Sequence, residues 1–122
     1  YALGDRQSKV GLTRQKPQPG LWTVTSEGDI VLTRLDDLLA DVAVDAIMLD
    51  VEGCEVQALR GATNLIAASR PVLWFEYLQH QADIDAILAS YGYSKPCHGI
   101  GADCYSLPME RVSAQRPISA VN

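Results

Sequence analysis

The chain has 122 residues, 48% of them apolar, and a formal net charge of −5. That length and apolar share fit one domain with a packed core and exclude wholesale disorder. The acidic balance and the scatter of the ten Lys and Arg residues exclude the basic footprint that nucleic acid or an anionic membrane surface requires.

Residues 7–33 read as β structure. Val10 and Leu12 alternate with polar neighbours, and Pro17-Gln18-Pro19-Gly20 is a turn cluster. Leu21 to Thr25 and Asp29 to Thr33 are rich in β formers, and Ser26-Glu27-Gly28 between them predicts a hairpin turn. Residues 35–41 predict a short helix, with Leu35, Leu38 and Leu39 on one face and Asp36 and Asp37 in its first turn. The run Ala46-Ile47-Met48-Leu49 does not alternate, which predicts a strand buried on both faces and ending at Asp50.

Residues 53–69 have helical periodicity through Val56, Leu59, Leu65 and Ile66, with Gly61 as a break between two short helices. Pro71 ends this segment, because Arg70 before it avoids the helical region. Val72 to Phe75 is a second buried strand, closed by Glu76 and Tyr77. Residues 81–90 form an amphipathic helix carrying Ile84, Ile87 and Leu88, stopped at Tyr91-Gly92. Residues 93–98 and 102–107 are two closing strands around Gly99-Ile100-Gly101, a hairpin turn. Residues 109–122 lack periodicity and read as a loose tail. Two strands joined through a helix make a βαβ unit, so 45–50 and 72–76 should run parallel and end at one sheet edge. Ligands bind at that edge in open α/β sheets.

Three carboxylates, Asp50, Glu52 and Glu55, follow the first of these strands, and Glu76 ends the second. Two uses fit acids at a helix start. They cap the helix and favour its dipole, or they form a site whose mutual repulsion a ligand or proton offsets. Glu55 reads as a surface or capping acid. Glu76 either lines the crevice or accepts hydrogen bonds from a neighbouring loop. Trp74, Phe75 and Tyr77 read as core rather than a substrate platform. His80 reads as a solvated loop residue, with general base as its other use. Cys54, Cys97 and Cys104 have no paired or zinc-like spacing, even with His98 beside Cys97, and read as free thiols of a reducing, cytoplasmic compartment. No metal site is expected from them.

The run Asp50, Glu52, Gly53, Glu55, Leu59, Gly61, Ala62, followed by Leu65, Pro71 and Glu76, resembles the signature of FkbM-type methyltransferases. Leu35 to Leu39, Tyr1-Ala2-Leu3-Gly4-Asp5 and Gly92-Tyr93 resemble flanking parts of that family, so the likeness spans roughly residues 1–108. It implies an S-adenosylmethionine-dependent enzyme on a Rossmann-like sheet, methylating a hydroxyl oxygen of a small molecule or glycan. A hydroxyl that attacks a methyl sulfonium must lose its proton. The resemblance therefore implies Asp50 as proton acceptor or as ligand of a divalent metal that holds the acceptor, with Glu52 and Glu76 as crevice acids. It also implies Asp5 near the adenine of the cofactor; from the residues alone, Asp5 beside Gly4 is a turn acid.

The family's glycine-rich cofactor loop has no counterpart, since no Gly-x-Gly precedes residue 50. The expectation is therefore the C-terminal part of a methyltransferase sheet, an α/β fold with a parallel βαβ core, antiparallel closing strands and an N-terminal β-hairpin. Residues 1–108 form this partial domain and 109–122 the tail. Weak or no cofactor binding by the chain alone is expected, with the N-terminal half supplied from elsewhere. Tyr1 in place of an initiator Met fits a processed, trimmed or cloned piece. The alternative is a non-catalytic α/β module that self-associates or binds a protein partner through its open sheet edge. No apolar run approaches the ~20 residues that span a bilayer, and no signal peptide is expected.

Overall fold

The computed structural model describes residues 1–14 and 22–114. The Pro17–Gly20 turn cluster and the last eight residues of the tail lie outside them. The fold is mixed α/β with two sheets. In the first, β1 (Ala2–Leu3) runs parallel to β3 (Trp22–Thr33), and β2 (Ser8–Arg14) pairs with β3 antiparallel, giving the order β1-β3-β2.

The predicted turn at Ser26-Glu27-Gly28 does not form. Instead β3 runs straight through it, and the hairpin partner is β2. The register jumps from Val10 opposite Ile30 to Gly11 opposite Thr25, so residues 26–29 have no register partner on β2 and form a bulge. Glycine decides this outcome. A Cβ on Gly28 would strike the backbone of Gly11, and one on Gly11 would strike the Glu27 carbonyl. Two backbones pass where side chains would not fit, and the extra residues are absorbed in a bulge rather than a chain reversal.

After α1 (Leu35–Leu38) the chain builds the second sheet. β4 (Ala46–Leu49) leads through α2 (Glu55–Arg60) and α3 (Thr63–Ser69) to β5 (Val72–Glu76). Then come α4 (Gln81–Ser90), β6 (Cys97–His98), β7 (Asp103–Ser106) and α5 (Met109–Ala114). The order is β4-β5-β7-β6, with β4 parallel to β5 and the other pairs antiparallel. The predicted βαβ unit and its interruption at Gly61 are both present. Residues 109–114 are helical rather than loose.

One face of this sheet carries the core. Leu49, Leu73 and Phe75 pack with Val56, Leu59 and Ile66 of α2 and α3 and with Ile84 and Leu88 of α4. The opposite face departs from expectation. Met48 is 75% exposed, and its register partner Trp74 is half-buried and stacked on Tyr105, ring centroids 6.0 Å apart. β4 is therefore not buried on both faces. It is an edge strand, and its second face lies outside the apolar cluster among the described residues. An unbroken apolar run shows a strand's capacity for burial, whereas the neighbours that realise it come from elsewhere in the fold.

Two junctions hold these layers. At the first, a Cβ on Gly61 would fall on the Gly4 carbonyl oxygen, so the α2–α3 turn rests directly on the backbone that follows β1. The Asp36 amide donates to the Gly61 carbonyl (2.9 Å), and the Asp36 carboxylate accepts from the amides of Asn64 (3.1 Å) and Leu65 (2.9 Å). α3 has no cap from its own N-cap residue, Ala62. Asp36, twenty-six residues upstream in α1, satisfies amides that the helix start leaves open.

At the second junction, Arg70, the C-cap of α3, takes a left-handed conformation, φ 51° and ψ 50°, outside the right-handed helical region that the residue before a proline avoids. Its guanidinium donates to the Tyr91 carbonyl (2.6 Å), the Gly92 carbonyl (3.1 Å) and the Glu110 carboxylate (2.7 and 2.8 Å), and it lies over the Tyr93 ring. The same bidentate pairing lowers the Glu110 carboxyl to about 2. This contact anchors the α5 helix that the sequence pattern did not reveal.

Gly61→Ala should destabilise the fold by about 3 kcal/mol or more, because backbone cannot yield as a flexible side chain does. Gly101, at φ 66° with open space around its Cβ position, should tolerate alanine at about 1 kcal/mol, the left-handed penalty alone. Denaturant melts of the two variants check the ranking, and equal losses would contradict it.

Candidate functional site

The acidic segment is a tight loop between β4 and α2. Leu49 is buried and Asp50 exposed. Glu52 and Gly53 both have positive φ, 49° and 88°, and the Cys54 amide donates back to the Val51 carbonyl (3.2 Å). α2 begins only at Glu55, with Cys54 in the N-cap position and no side-chain cap. Asp50 lies upstream of this cap position and does not cap the helix. Glu55 is not a surface acid either. It is 3% exposed, and its carboxylate accepts from the Gly53 amide (3.3 Å), so it ties the loop to the first turn of α2.

Parallel pairing carries β4 and β5 to the same sheet edge, where Asp50, Glu52 and Glu76 come within electrostatic reach of one another. The consequence appears at Glu76, whose carboxyl is raised above its ordinary value. Burial is the largest cause, followed by the charges of Glu55, Glu52, Asp50 and Asp103. Asp103 is a member that sequence reasoning missed. It starts β7 directly opposite Glu76. Since β7 is antiparallel to β5, its first residue falls at the edge where β5 ends. A closing strand read as antiparallel and beginning with an acid was the available signal. Like charges directly opposite one another in a ladder are unfavourable.

The other candidates are not among the charges that act on Glu76. His80 is exposed at the N-cap of α4, with φ 53° and no side-chain cap bond. His98 lies 3.8 Å from the buried Cys104 thiol. Among the described residues no group of three His, Cys, Asp or Glu side chains is arranged to hold a metal ion. Phe75 is core, as its pattern predicts, while Tyr77 is half-buried and its hydroxyl donates to the Asp85 carboxylate (2.7 Å). Asp5 lines a separate cleft of about 400 Å³ with Leu3, Val10, Leu32 and Arg60, and Arg6 pairs with it at 3.3 Å.

A neighbouring cleft of about 430 Å³ lies between the β2–β3 face and residues 51–54, with Leu12, Trp22, Val24 and Glu52 in its walls. Leu3, Val24 and Cys54 border both clefts. A third cavity, of about 470 Å³, is lined by Asp36, Val42 and Asn64 and includes none of the edge acids.

A nucleotide-like cofactor needs a close backbone approach for its charged end and polar partners aimed into the cavity. The glycines nearest these clefts are already packed against protein. A Cβ on Gly4 would meet Leu32, and one on Gly53 would meet Gln79. Among the described residues no buried side-chain nitrogen or oxygen lacks a partner. These residues offer acids and apolar walls, but they do not by themselves fit a whole cofactor of that kind.

A carboxyl raised in the folded state binds its proton more readily there than in the unfolded chain. Its ionisation therefore opposes folding, and stability falls as pH rises from the ordinary carboxylate range through the raised value. Glu76→Gln should stabilise the chain at pH 7 by up to ~1 kcal/mol. The gain should vanish below the ordinary carboxylate range, where Glu76 is protonated in both states. Thermal melts of both proteins across pH check this; a loss at pH 7 would mean that the Glu76 charge supports the fold.

Comparison with known proteins gives these features a family. The model of the Methyltransferase FkbM domain matches residues 11–95. A crystal structure of a methyltransferase FkbM from Methylobacillus flagellatus KT superposes with a TM-score of 0.52 at 22% sequence identity, which is a likeness of fold. That match covers 84% of this chain and 26% of the other, so the chain spans about a quarter of its length. No curated protein matches. With the family match running from β2 past α4 and taking in the whole acidic loop, the chain belongs to the FkbM methyltransferase domain family.

Proposed function

We propose that this chain forms the C-terminal part of a Rossmann-like methyltransferase sheet that moves a methyl group from S-adenosylmethionine to a hydroxyl oxygen. The observation that carries the reading is the convergence of acids from two parallel strands at one sheet edge, felt as the raised carboxyl of Glu76. Asp50, exposed at the end of β4, takes the proton of the acceptor hydroxyl. Glu52 and Glu76 position the acceptor, and Asp5 faces the cofactor from its own cleft. A charged group poised within hydrogen-bond reach contributes ~10²- to 10⁴-fold to such a step. S-adenosylmethionine supplies the methyl group. Residues beyond these 122 hold its charged end, consistent with the packed glycines around the clefts and the 26% span of the solved relative.

Two measurements test this. Isothermal titration of the chain with S-adenosylmethionine should show no binding in the low micromolar range; such binding would contradict the division of labour. In the protein as its gene encodes it, Asp50→Asn should lower kcat about 10²-fold or more with cofactor affinity unchanged. An unaltered kcat would remove Asp50 from the reaction.

A second reading has its own observation. β4 is an edge strand, and Met48 beside it is 75% exposed. Unpaired strand edges with apolar neighbours recruit other chains. On this reading the module self-associates or docks a protein partner without catalysis. Light scattering of the chain at micromolar concentration should then give a dimer or larger, and a clean monomer mass would remove self-association.

A further inference from the structure

The helix α5 has little of what ordinarily holds a helix in place. All six of its residues, Met109 to Ala114, are exposed, so burial of an apolar face contributes little to it. Six residues are also too few for a helix to persist in water by itself, where about 12–15 are needed even with good helix formers. Its helicity therefore depends on where it is tied. The joint is firm. Pro108 is fully buried and bridges to Tyr93, and the Met109 amide donates to the Gly92 carbonyl (3.0 Å). Beyond the joint, among the described residues, the hydrogen-bonded contact of α5 with the rest of the chain is Glu110 on Arg70.

That contact has the form of a fork. Arg70 Nε donates to one Glu110 oxygen (2.7 Å) and Nη2 to the other (2.8 Å). Bidentate pairing of this kind fixes direction as well as distance. The guanidinium is itself fixed, by Nη1 on the Tyr91 carbonyl, Nη2 on the Gly92 carbonyl and the Tyr93 ring beneath it. Arg70 therefore keeps its place with or without Glu110, whereas the body of α5 has no comparable second hold. Both partners keep part of their surface in water. A helix pinned by one such pair belongs at the low end of local stability, where segments open without the core.

We propose that α5 is a detachable arm, an order–disorder element latched to the α3–β5 junction by the Arg70–Glu110 pair. Losing the Glu110 charge releases the arm, and so does a competing carboxylate on Arg70. Release melts the helix and leaves the rest of the fold as it is. The device is independent of the methyl-transfer reading. Arg70 lies just ahead of β5 and Glu76 ends it. The latch and the acid group therefore sit at opposite ends of one strand, roughly 20 Å apart along the backbone.

Nuclear relaxation of the ¹⁵N-labelled full chain reads the arm directly. Order parameters of the amides of residues 110–113 should sit near the rigid value, about 0.85, and in Glu110→Ala should fall below about 0.6. The amides of β5 and α4 should keep their values in that variant, and its thermal midpoint should match that of the parent chain. Val112 and Met109 are the large apolar side chains of the arm, both exposed. Val112→Ser should therefore leave residues 110–113 as rigid as before. The proposal is overturned if these residues stay rigid in Glu110→Ala, or if they are already mobile in the parent chain. It is overturned equally if Val112→Ser frees them, since packing would then hold the arm. A lowered midpoint in Glu110→Ala would also overturn it, because α5 would then unfold with the core and not ahead of it.

Discussion

The contact between Gly61 and Gly4 is the constraint on which the rest of the molecule hangs. Backbone rests on backbone there, with no room for a Cβ, and the contact joins the two sheets. Gly4 is itself fixed by donating its amide to the Thr33 carbonyl (2.9 Å) at the end of β3. Asp36, just beyond β3, reaches across to Gly61 and to the open amides of α3. Between this junction and the acidic loop lies only α2, six residues long, with Ala58 and Leu59 fully buried. A short, buried helix transmits position with little slack. Where Gly61 sits therefore sets where Glu55, Gly53 and Glu52 sit, and hence the distance between the acidic loop and the β2–β3 face.

The family signature reads physically once this is seen. Gly61 is required by the close approach, and Ala62 and Leu59 by complete burial. Gly53 suits the left-handed turn at φ 88°. Glu55 closes the loop from the buried side. Those four roles are structural, which leaves Asp50, Glu52 and Glu76 as the acids without a packing explanation. Their repulsion, shared with Asp103, works against the fold locally. A local conflict between charge and stability that the remainder of the molecule tolerates is typical of sites kept for chemistry.

The second sheet also presents an imbalance. One face is packed by α2, α3 and α4, whereas the other shows Met48, Trp74 and Tyr105 to its surroundings. Parallel strands are ordinarily covered on both faces. Among the described residues the same strand, β4, is paired on one side alone. The apolar cluster of the core lies on the first face, and Met48, Trp74 and Tyr105 on the second lie outside it among the described residues.

Much of the local structure was legible in the residues. Helical periodicity with a break at Gly61, the stop at Pro71, the βαβ connection and its parallel strands follow from hydrophobic spacing and backbone sterics, which act over a few residues. So does the arrival of Asp50 and Glu76 at one edge, because two parallel strands joined by a crossover must end together. What the residues did not disclose was always a matter of partners distant in sequence. Whether Ser26-Glu27-Gly28 turned or bulged depended on Gly11 across the ladder. Whether Met48 was covered depended on which elements flank β4. That Glu55 is buried, that Asp103 faces Glu76, and that residues 109–114 coil around the anchor from Arg70 were decided by packing and by ion pairing across long loops. Local sequence limits the conformations that each segment can adopt, but contacts made on folding select among them, and those contacts gave the acidic edge and its apolar cleft their final composition.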